Sequence, residues 1–344
     1  MALLAGRGAW REAGLGPEQI SQLDAVLPDT WARSLEWLAR PDHHLLGWHD
    51  PLFPPLLRHS RNPPLALFVE GAPELLWRPM LAIVGSRSPT PAGREHAAHF
   101  ANCIARAGIV VASGLAAGID AAAHRAAIEA PGGSTVAVVG TGLDQTYPPS
   151  HAGLQARIVE HGGAIVSEFP PGTPARAPHF PSRNRILAGL SAATLVVEAA
   201  ERSGALITAR LAGDDGRDVF ALPGSLGNPL ARGCHRLIRQ GAGLISSPEE
   251  LLEEVGPGIA RLARAHRLLL HEAECHAAPD CAPPLPSAAE HPHPLWAALG
   301  HDPTGMDQLV ERTGLTAAEV SSMLLLMELD GRVAVEHGRY WRIG

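Results

Sequence analysis

The residues best equipped for chemistry in this chain are arginines. In HFPSRNRILAGLS, Arg183 and Arg185 flank Asn184 at an expected helix start, and Phe180 stands just upstream. A guanidinium forks onto phosphate oxygens, while an aromatic ring stacks under an unpaired base. Arg87, in the turn VGSRSP, would project from the same sheet edge. Taken singly, Arg185 could instead pair with a local acid and Phe180 could be core; the combination is what points to a strand of phosphates with unpaired bases. Glycine turns add a second kind of phosphate ligand. VGSRSP, SGLAAGID, GTGLDQTYP and ERSGALITAR each precede a helical pattern, where backbone N–H groups and the positive end of the helix dipole favour an anion. They nominate Ser86, Gly114, Gly118 and Gly140 beside Arg87. None reads GxGxxG with an acid about 20 positions on, and none reads GxxxxGK[ST], so support for a dinucleotide or nucleoside triphosphate site is weak.

Residues for bond-breaking chemistry are sparse. Asp120 and His124 are spaced i, i+4, which puts them on one helix face and could orient an imidazole as a base. The simpler reading is that Asp120 charges the helix N-terminus and His124 hydrogen-bonds to it. Glu198, closing TLVVEA, could serve a hydrolase as base but has no companion set. His271, Cys275, His276 and Cys281 are of zinc-ligand type, yet their spacing is irregular and their surroundings are rich in Ala and Pro, so no metal site is expected. No catalytic residue and no cofactor are expected.

Those residues need a frame. From Leu81 onward, short β-rich runs (LAIVGS, IVVASG, TVAVVGTG, AIVSEF, TLVVEA, DVFALPG, GLISS) alternate with helical patterns. Strands apolar on both faces between amphipathic helices predict a Rossmann-like α/β domain with a doubly wound, mostly parallel sheet. We place this domain at residues 76–255. Residues 1–75 read as a small helical unit, of SAM or helix-hairpin-helix type, followed by a Pro-punctuated connector; Trp31 and Trp37 sit at helical spacing and are expected in its core. Residues 256–294, rich in Ala, Pro and His, read as linker, with a short helix near 260–271. Residues 295–344 show the helix, helix, helix, strand, strand order of a winged helix, with Thr304 and Thr316 placed to cap its second and third helices. The helix expected at 316–330 has three acids and no basic residue, which suits a protein contact or a structural role better than a DNA groove.

Composition sets bounds. With 344 residues, more than one folding unit is expected. Mean hydropathy is +0.03 and no apolar run approaches the ~20 residues of a membrane span. The N-terminus lacks a signal-peptide pattern, so the expected compartment is the cytoplasm, which suits four cysteines too few for a disulfide scaffold. Net charge is −7, but residues 176–239 hold 9 Arg against 5 acids. No lysine occurs, so every fixed positive charge is a guanidinium.

The dense run IVGSR, SGLAAGIDAAAHRAAI, GTGLDQTYP, SEFPPGT, HFPSRNRILAGLSAATLVVEAAERSGALITARLA and GRDVFALPGSLGNPLARGCHRLIRQGA resembles the DNA-processing protein A family (DprA, also called Smf). The resemblance is strong over 50–255 and looser at both ends. It implies a Rossmann-like core that binds single-stranded DNA cooperatively as a dimer, protects incoming DNA and loads the RecA recombinase during natural transformation. It carries the family's GSR arginine onto Arg87, its RNR pair onto Arg183 and Arg185, and brings Ser203, Gly204 and Thr208 of SGALIT to the same rim. Basic residues frequent in the family are missing at Ala117, Pro149, Ser150 and Ser182; His151 and His179 are candidates to compensate at low pH. Alanine at Arg87, or at Arg183 and Arg185 together, is expected to cost single-strand affinity without changing the fold. The competing reading, a nucleotide-processing hydrolase of the lysine-decarboxylase-like Rossmann type, would need PGGxGT where SGALIT stands. A transcription regulator acting through the winged helix is disfavoured by the acidic third helix.

Overall fold

Period-2 alternation between two cores turns the apolar runs into buried strands. The computed structural model describes residues 16–24 and 28–277, with Gly8, Arg11 and Gly14 before them. In the C-terminal region it describes Leu295, Ala298, Leu299, 304–316, Val320, Leu324, 333–336 and 339–342; the side chains of 270–277 fall outside this set. Among these residues one sheet holds β1 (His43–Gly47), β2 (Ala66–Gly71), β3 (Met80–Val84), β4 (Val110–Ser113), β5 (Thr135–Val138), β6 (Ala164–Ser167), β7 (Ala193–Val196), β8 (Asp218–Ala221) and β9 (Gly243–Leu244). Met80, Ala82 and Val84 of β3 enter one core, and Leu81 and Ile83 enter the other. Burying each such aliphatic side chain contributes about 1.5–3 kcal/mol, so both faces of the strand must be covered.

The helices supply the covers. On one face lie α3 (Pro91–Arg106), α4 (Ile119–Glu129) and α5 (Ala152–Glu160), the first through Phe100 and Ile104. On the other lie α6 (His179–Leu190), α7 (Ala205–Asp214) and α8 (Arg232–Arg239), with Ile186, Leu206 and Leu237 in the core. Strand order is β1-β2-β6-β5-β4-β3-β7-β8-β9. From β3 the chain winds outward through β4, β5 and β6, then returns to β7 on the far side of β3, all in parallel pairing. That reversal puts a topological switch point between β3 and β7, the place where such sheets open a ligand crevice beyond their strand ends.

The expected boundary at residues 75 and 76 does not coincide with an edge of this sheet. β1 and β2, inside the segment expected to be a connector, pair antiparallel with each other and β2 pairs with β6. The prolines around 51–64 hid them, because they punctuate the turn between the two strands and not the strands themselves. The helices α1 (Pro17–Asp24) and α2 (Pro28–Leu38) are as read, and Trp37 is core as expected, 3% exposed and stacked on His43 at 4.0 Å. Trp31 is half-buried. The expected linker is also shorter than read: α9 runs from Pro248 to Ala277 through Pro257. Its Ala, Leu and Arg content favours helix despite that proline, and buried His266 ties it to the turn between β2 and β3 through Nδ1 and the Trp77 carbonyl at 2.6 Å. The linker segment 278–294 lies outside the described residues, as does Cys281; the described residues contain no group of metal-ligating side chains.

Met1–Ala273 and Glu274–Gly344 form two separate compact units. In the second, α10 (Met306–Thr313) packs with Leu295, Leu299, Val320, Leu324 and Val333. Three short strands, β10 (Thr304–Gly305), β11 (Val333–Glu336) and β12 (Arg339–Arg342), form a sheet in the order β10-β12-β11. This is the winged helix read from the sequence. Thr304, expected as a cap, pairs in β10 with Tyr340, and Gly305 takes the N-cap position of α10. Most of the acidic third helix, 316–330, lies outside the described residues, although Thr316 does accept the Val320 N–H through its carbonyl. No helix among the described residues is long and apolar enough to cross a membrane.

Candidate nucleic-acid interface

A cleft of about 570 Å³ opens at the switch point, beyond the C-terminal ends of β3, β4 and β7. The sheet delivers its lining from turns far apart in sequence: Ser86 and Arg87 after β3, Gly114 after β4, Ser203, Gly204 and Thr208 after β7, and Phe180, Arg183 and Asn184 from the start of α6. Nine of the twelve residues nominated from sequence therefore meet in one place.

Its rim is cationic and aromatic. Arg87 is exposed, with its guanidinium carbon 5.4 Å from the Phe180 ring centre. Tyr147, 43% exposed, lies 5.2 Å from Phe180 at an interplanar angle of 42°. The three side chains enclose a smaller recess of about 170 Å³, with Ala117 on its wall where a basic residue was noted as missing. Tyr147 was not nominated from the sequence; its place in the glycine turn GTGLDQTYP was the available signal.

Beneath the rim the chemistry changes. Arg183 was expected to fork onto phosphate, but it is 5% exposed, donates to the Val138 carbonyl and faces the Asp120 carboxylate across Gly114, where a Cβ would collide with both. Burial pulls its pKa down to about 10, while Asp120 raises it and Arg87 lowers it further. Asp120 is held above the usual carboxylate range by burial, opposed by Arg183 and by the backbone amides it accepts. Those amides, Gly114 at 3.1 Å and Ala116 at 3.3 Å, belong to the SGLAAGID turn. The turn expected to hold an external anion thus turns its N–H groups onto Asp120. Gly118, with φ +83°, lies against the Ser86 and Arg87 carbonyls, where any Cβ would clash.

The Asp120–His124 pair also differs from expectation. His124 points away to the Thr135 hydroxyl, 2.7 Å from Nδ1, and Thr135 in turn donates to the Val111 carbonyl. Burial, with Arg183, His151 and Arg125 nearby, lowers the His124 pKa to about 3, which makes it a poor base at neutral pH. Arg185 pairs with Glu168, its local acid, and lies outside the cleft. Gly140 is packed beneath the start of α6, its carbonyl 3.1 Å from His179 Nδ1. His179 stacks on Phe169, and buried His151 directs Nδ1 to the Leu115 carbonyl at 2.9 Å, so both imidazoles serve the fold instead of extending the cationic rim. Asn184 Nδ2 lies 3.4 Å from the Gly204 carbonyl, and Ser203 Oγ accepts the Ala205 N–H. Thr208 is 2% exposed and forms part of the cleft wall.

Residues 44–256 match the family model for DNA recombination-mediator protein A. The chain belongs to this family. Residues 278–339 match the DprA winged helix domain. Protein Smf of Escherichia coli is 44% identical over 310 residues, covering 90% of this chain and 80% of that one. DNA processing protein DprA of Streptococcus pneumoniae is 43% identical over 205 residues, 60% of this chain and 72% of its own. Its crystal structure aligns with a TM-score of 0.62 at 39% identity, covering 70% of this chain and 82% of that one. The DNA processing protein A structure from Helicobacter pylori, described for its single-stranded DNA binding mode, aligns with a TM-score of 0.55 at 29% identity, covering 60% and 94% respectively.

Proposed function

We propose that the switch-point cleft holds single-stranded DNA and that the protein is a recombination mediator, binding and not catalysing. The observation that carries this reading is the rim: an exposed guanidinium over an aromatic ring, with a second ring beside it, at the mouth of a cleft. A flat ring accepts any unpaired base, and Arg87 meets the adjoining phosphate, whereas a duplex keeps its bases inside. The relatives' names and the binding mode described for the H. pylori protein support the same reading. Protection of incoming DNA, loading of RecA during natural transformation and action as a homodimer in the cytoplasm complete the proposal, on the strength of family membership.

The test is fluorescence anisotropy with labelled oligonucleotides across salt. Single strands should bind tighter than duplex, and affinity should fall steeply with ionic strength. Equal affinity for duplex, or none for single strands, overturns the reading. RecA loading is checked by the rate of filament growth on DNA already coated with single-strand-binding protein, and self-association by light scattering. The hydrolase alternative has little to stand on: the Glu198 carboxylate is taken up by Thr90 and Asn228. Hydrolysis of a nucleoside monophosphate that disappears in Glu198→Ala would restore it.

A further inference from the structure

The family resemblance gives Glu198 no role, yet it clasps the turn that presents Arg87 from both ends. Its backbone carbonyl accepts the Ser86 N–H at 2.7 Å. Its carboxylate accepts the Thr90 N–H at 2.8 Å through Oε2 and the Thr90 hydroxyl at 2.6 Å through Oε1. The five residues 86–90 are thus pinned at their first and last positions by one side chain and its own backbone. The fit is close: Glu198 is 8% exposed, and a Cβ at Gly93, in the first turn of α3, would run into the carboxylate. Oε1 also lies 3.3 Å from Asn228 Nδ2, in the turn after β8.

We propose that Glu198 is a positioning residue for the DNA-binding cleft, fixing the 86–90 turn so that Arg87 is held over Phe180. The inference rests on the single-strand reading of that cleft. The carboxylate sits where a phosphate-binding α/β domain would receive its ligand, at the start of the helix after the first parallel strand. With that place filled from inside, the turn is a rigid platform and Arg87 is the part of it left to meet a phosphate.

The experiment is a double-mutant cycle on single-stranded oligonucleotide affinity, using Glu198→Ala, Arg87→Ala and the double variant. Glu198→Ala should weaken binding about tenfold, the scale of one lost charged hydrogen bond. In the Arg87→Ala background the same change should cost less than about twofold, because its effect passes through Arg87. Glu198→Gln, which keeps an acceptor for Thr90, should recover most of the affinity. Wild-type affinity in Glu198→Ala overturns the proposal, and so do losses that multiply in the double variant or a Glu198→Gln no better than Ala. If Glu198→Ala does not fold, Thr90→Val removes the hydroxyl arm of the clasp and keeps the backbone N–H arm; in the same cycle a loss of affinity that vanishes in the Arg87→Ala background supports the proposal, and wild-type affinity or a loss that multiplies overturns it. Failure of the wild-type protein to bind single strands sinks the parent reading; wild-type binding without coupling sinks this inference alone.

Discussion

Arg87 and Arg183 line one cleft and do opposite work. Arg87 is exposed and stands over an aromatic ring; Arg183 is buried, donating to a carbonyl and facing a carboxylate across Gly114. The same contrast separates rim from floor throughout the site. At the floor the protein meets its own anions, Asp120 under the SGLAAGID turn and Glu198 under the start of α3, so helix starts that look like phosphate sites are already occupied. At the rim, no carboxylate among the described residues pairs with Arg87. Family motifs therefore mix exposed residues, which the proposed function gives to the ligand, with residues that build the floor, and burial tells them apart.

The sharpest break of this comparison is Arg183→Ala. It leaves the Val138 carbonyl without its donor and Asp120 buried with less opposing charge, and leaving a buried group without its partner costs about 1–3 kcal/mol. Urea denaturation should show that loss directly. The sequence alone led to the expectation of lost affinity with an unchanged fold; here the fold itself is expected to weaken, and a variant as stable as wild type would return Arg183 to the ligand side.

The rim should respond in the other currency. Arg87→Ala should cut single-strand affinity by one to two orders of magnitude, and it should lower the slope of log affinity against log salt by about 0.7 for one lost phosphate contact. Its thermal midpoint should stay near that of wild type. Phe180→Ala should cost about 1–3 kcal/mol of binding for one stacked base and leave the salt slope where it was. A slope that falls with Phe180 and not with Arg87 would reverse their assignments.

How much of this was legible beforehand follows from the range of the interactions. The seven parallel strands β3 to β9 and the two C-terminal strands β11 and β12 rest on periodicity and apolar runs, which are local, and they stand where the pattern put them. β1 and β2 were missed because their identity as strands depends on pairing with β6, about a hundred residues away. The cleft was found through its turns, since parallel sheets gather strand ends at one edge. Which arginine faces solvent was not legible, because Arg183 and Arg185 are two residues apart on α6 and their partners, Val138 and Glu168, come from different strand ends. Tyr147 became part of the rim only once the turn after β5 was brought against α6.

The floor also sets a pH dependence that the rim should not share. His124 has a folded pKa of about 3 against an ordinary 6.5, so it is neutral in the fold and takes up a proton on unfolding. Its contribution to stability is complete above pH 6.5 and declines as pH falls toward 3. Between pH 6.5 and 5 the loss from this group is about 2 kcal/mol. His266, also lowered by burial, acts in the same sense, and Asp120, raised by burial, acts against it, so the difference between wild type and His124→Gln isolates the imidazole. Denaturation midpoints of the two proteins should converge as pH falls from 7 to 5. Parallel curves would mean that the His124 ring is not held neutral.

The smallest effect belongs to Arg185, which the RNR motif makes equal to Arg183 and the structure does not. Its side chain is 18% exposed and that of its partner Glu168 is 24% exposed, so the pair stands partly in water. A pair in that setting contributes on the order of 1 kcal/mol or less. Arg185→Ala should therefore shift the urea midpoint slightly and change single-strand affinity less than threefold, a bound below ~1 kcal/mol. Glu168→Ala should match it in stability, since either change breaks the same contact. If Arg185→Ala instead loses affinity on the scale of Arg87→Ala while Glu168→Ala does not, Arg185 leaves Glu168 for phosphate on binding, and the rim extends one helical turn farther along α6 than the cleft now reaches.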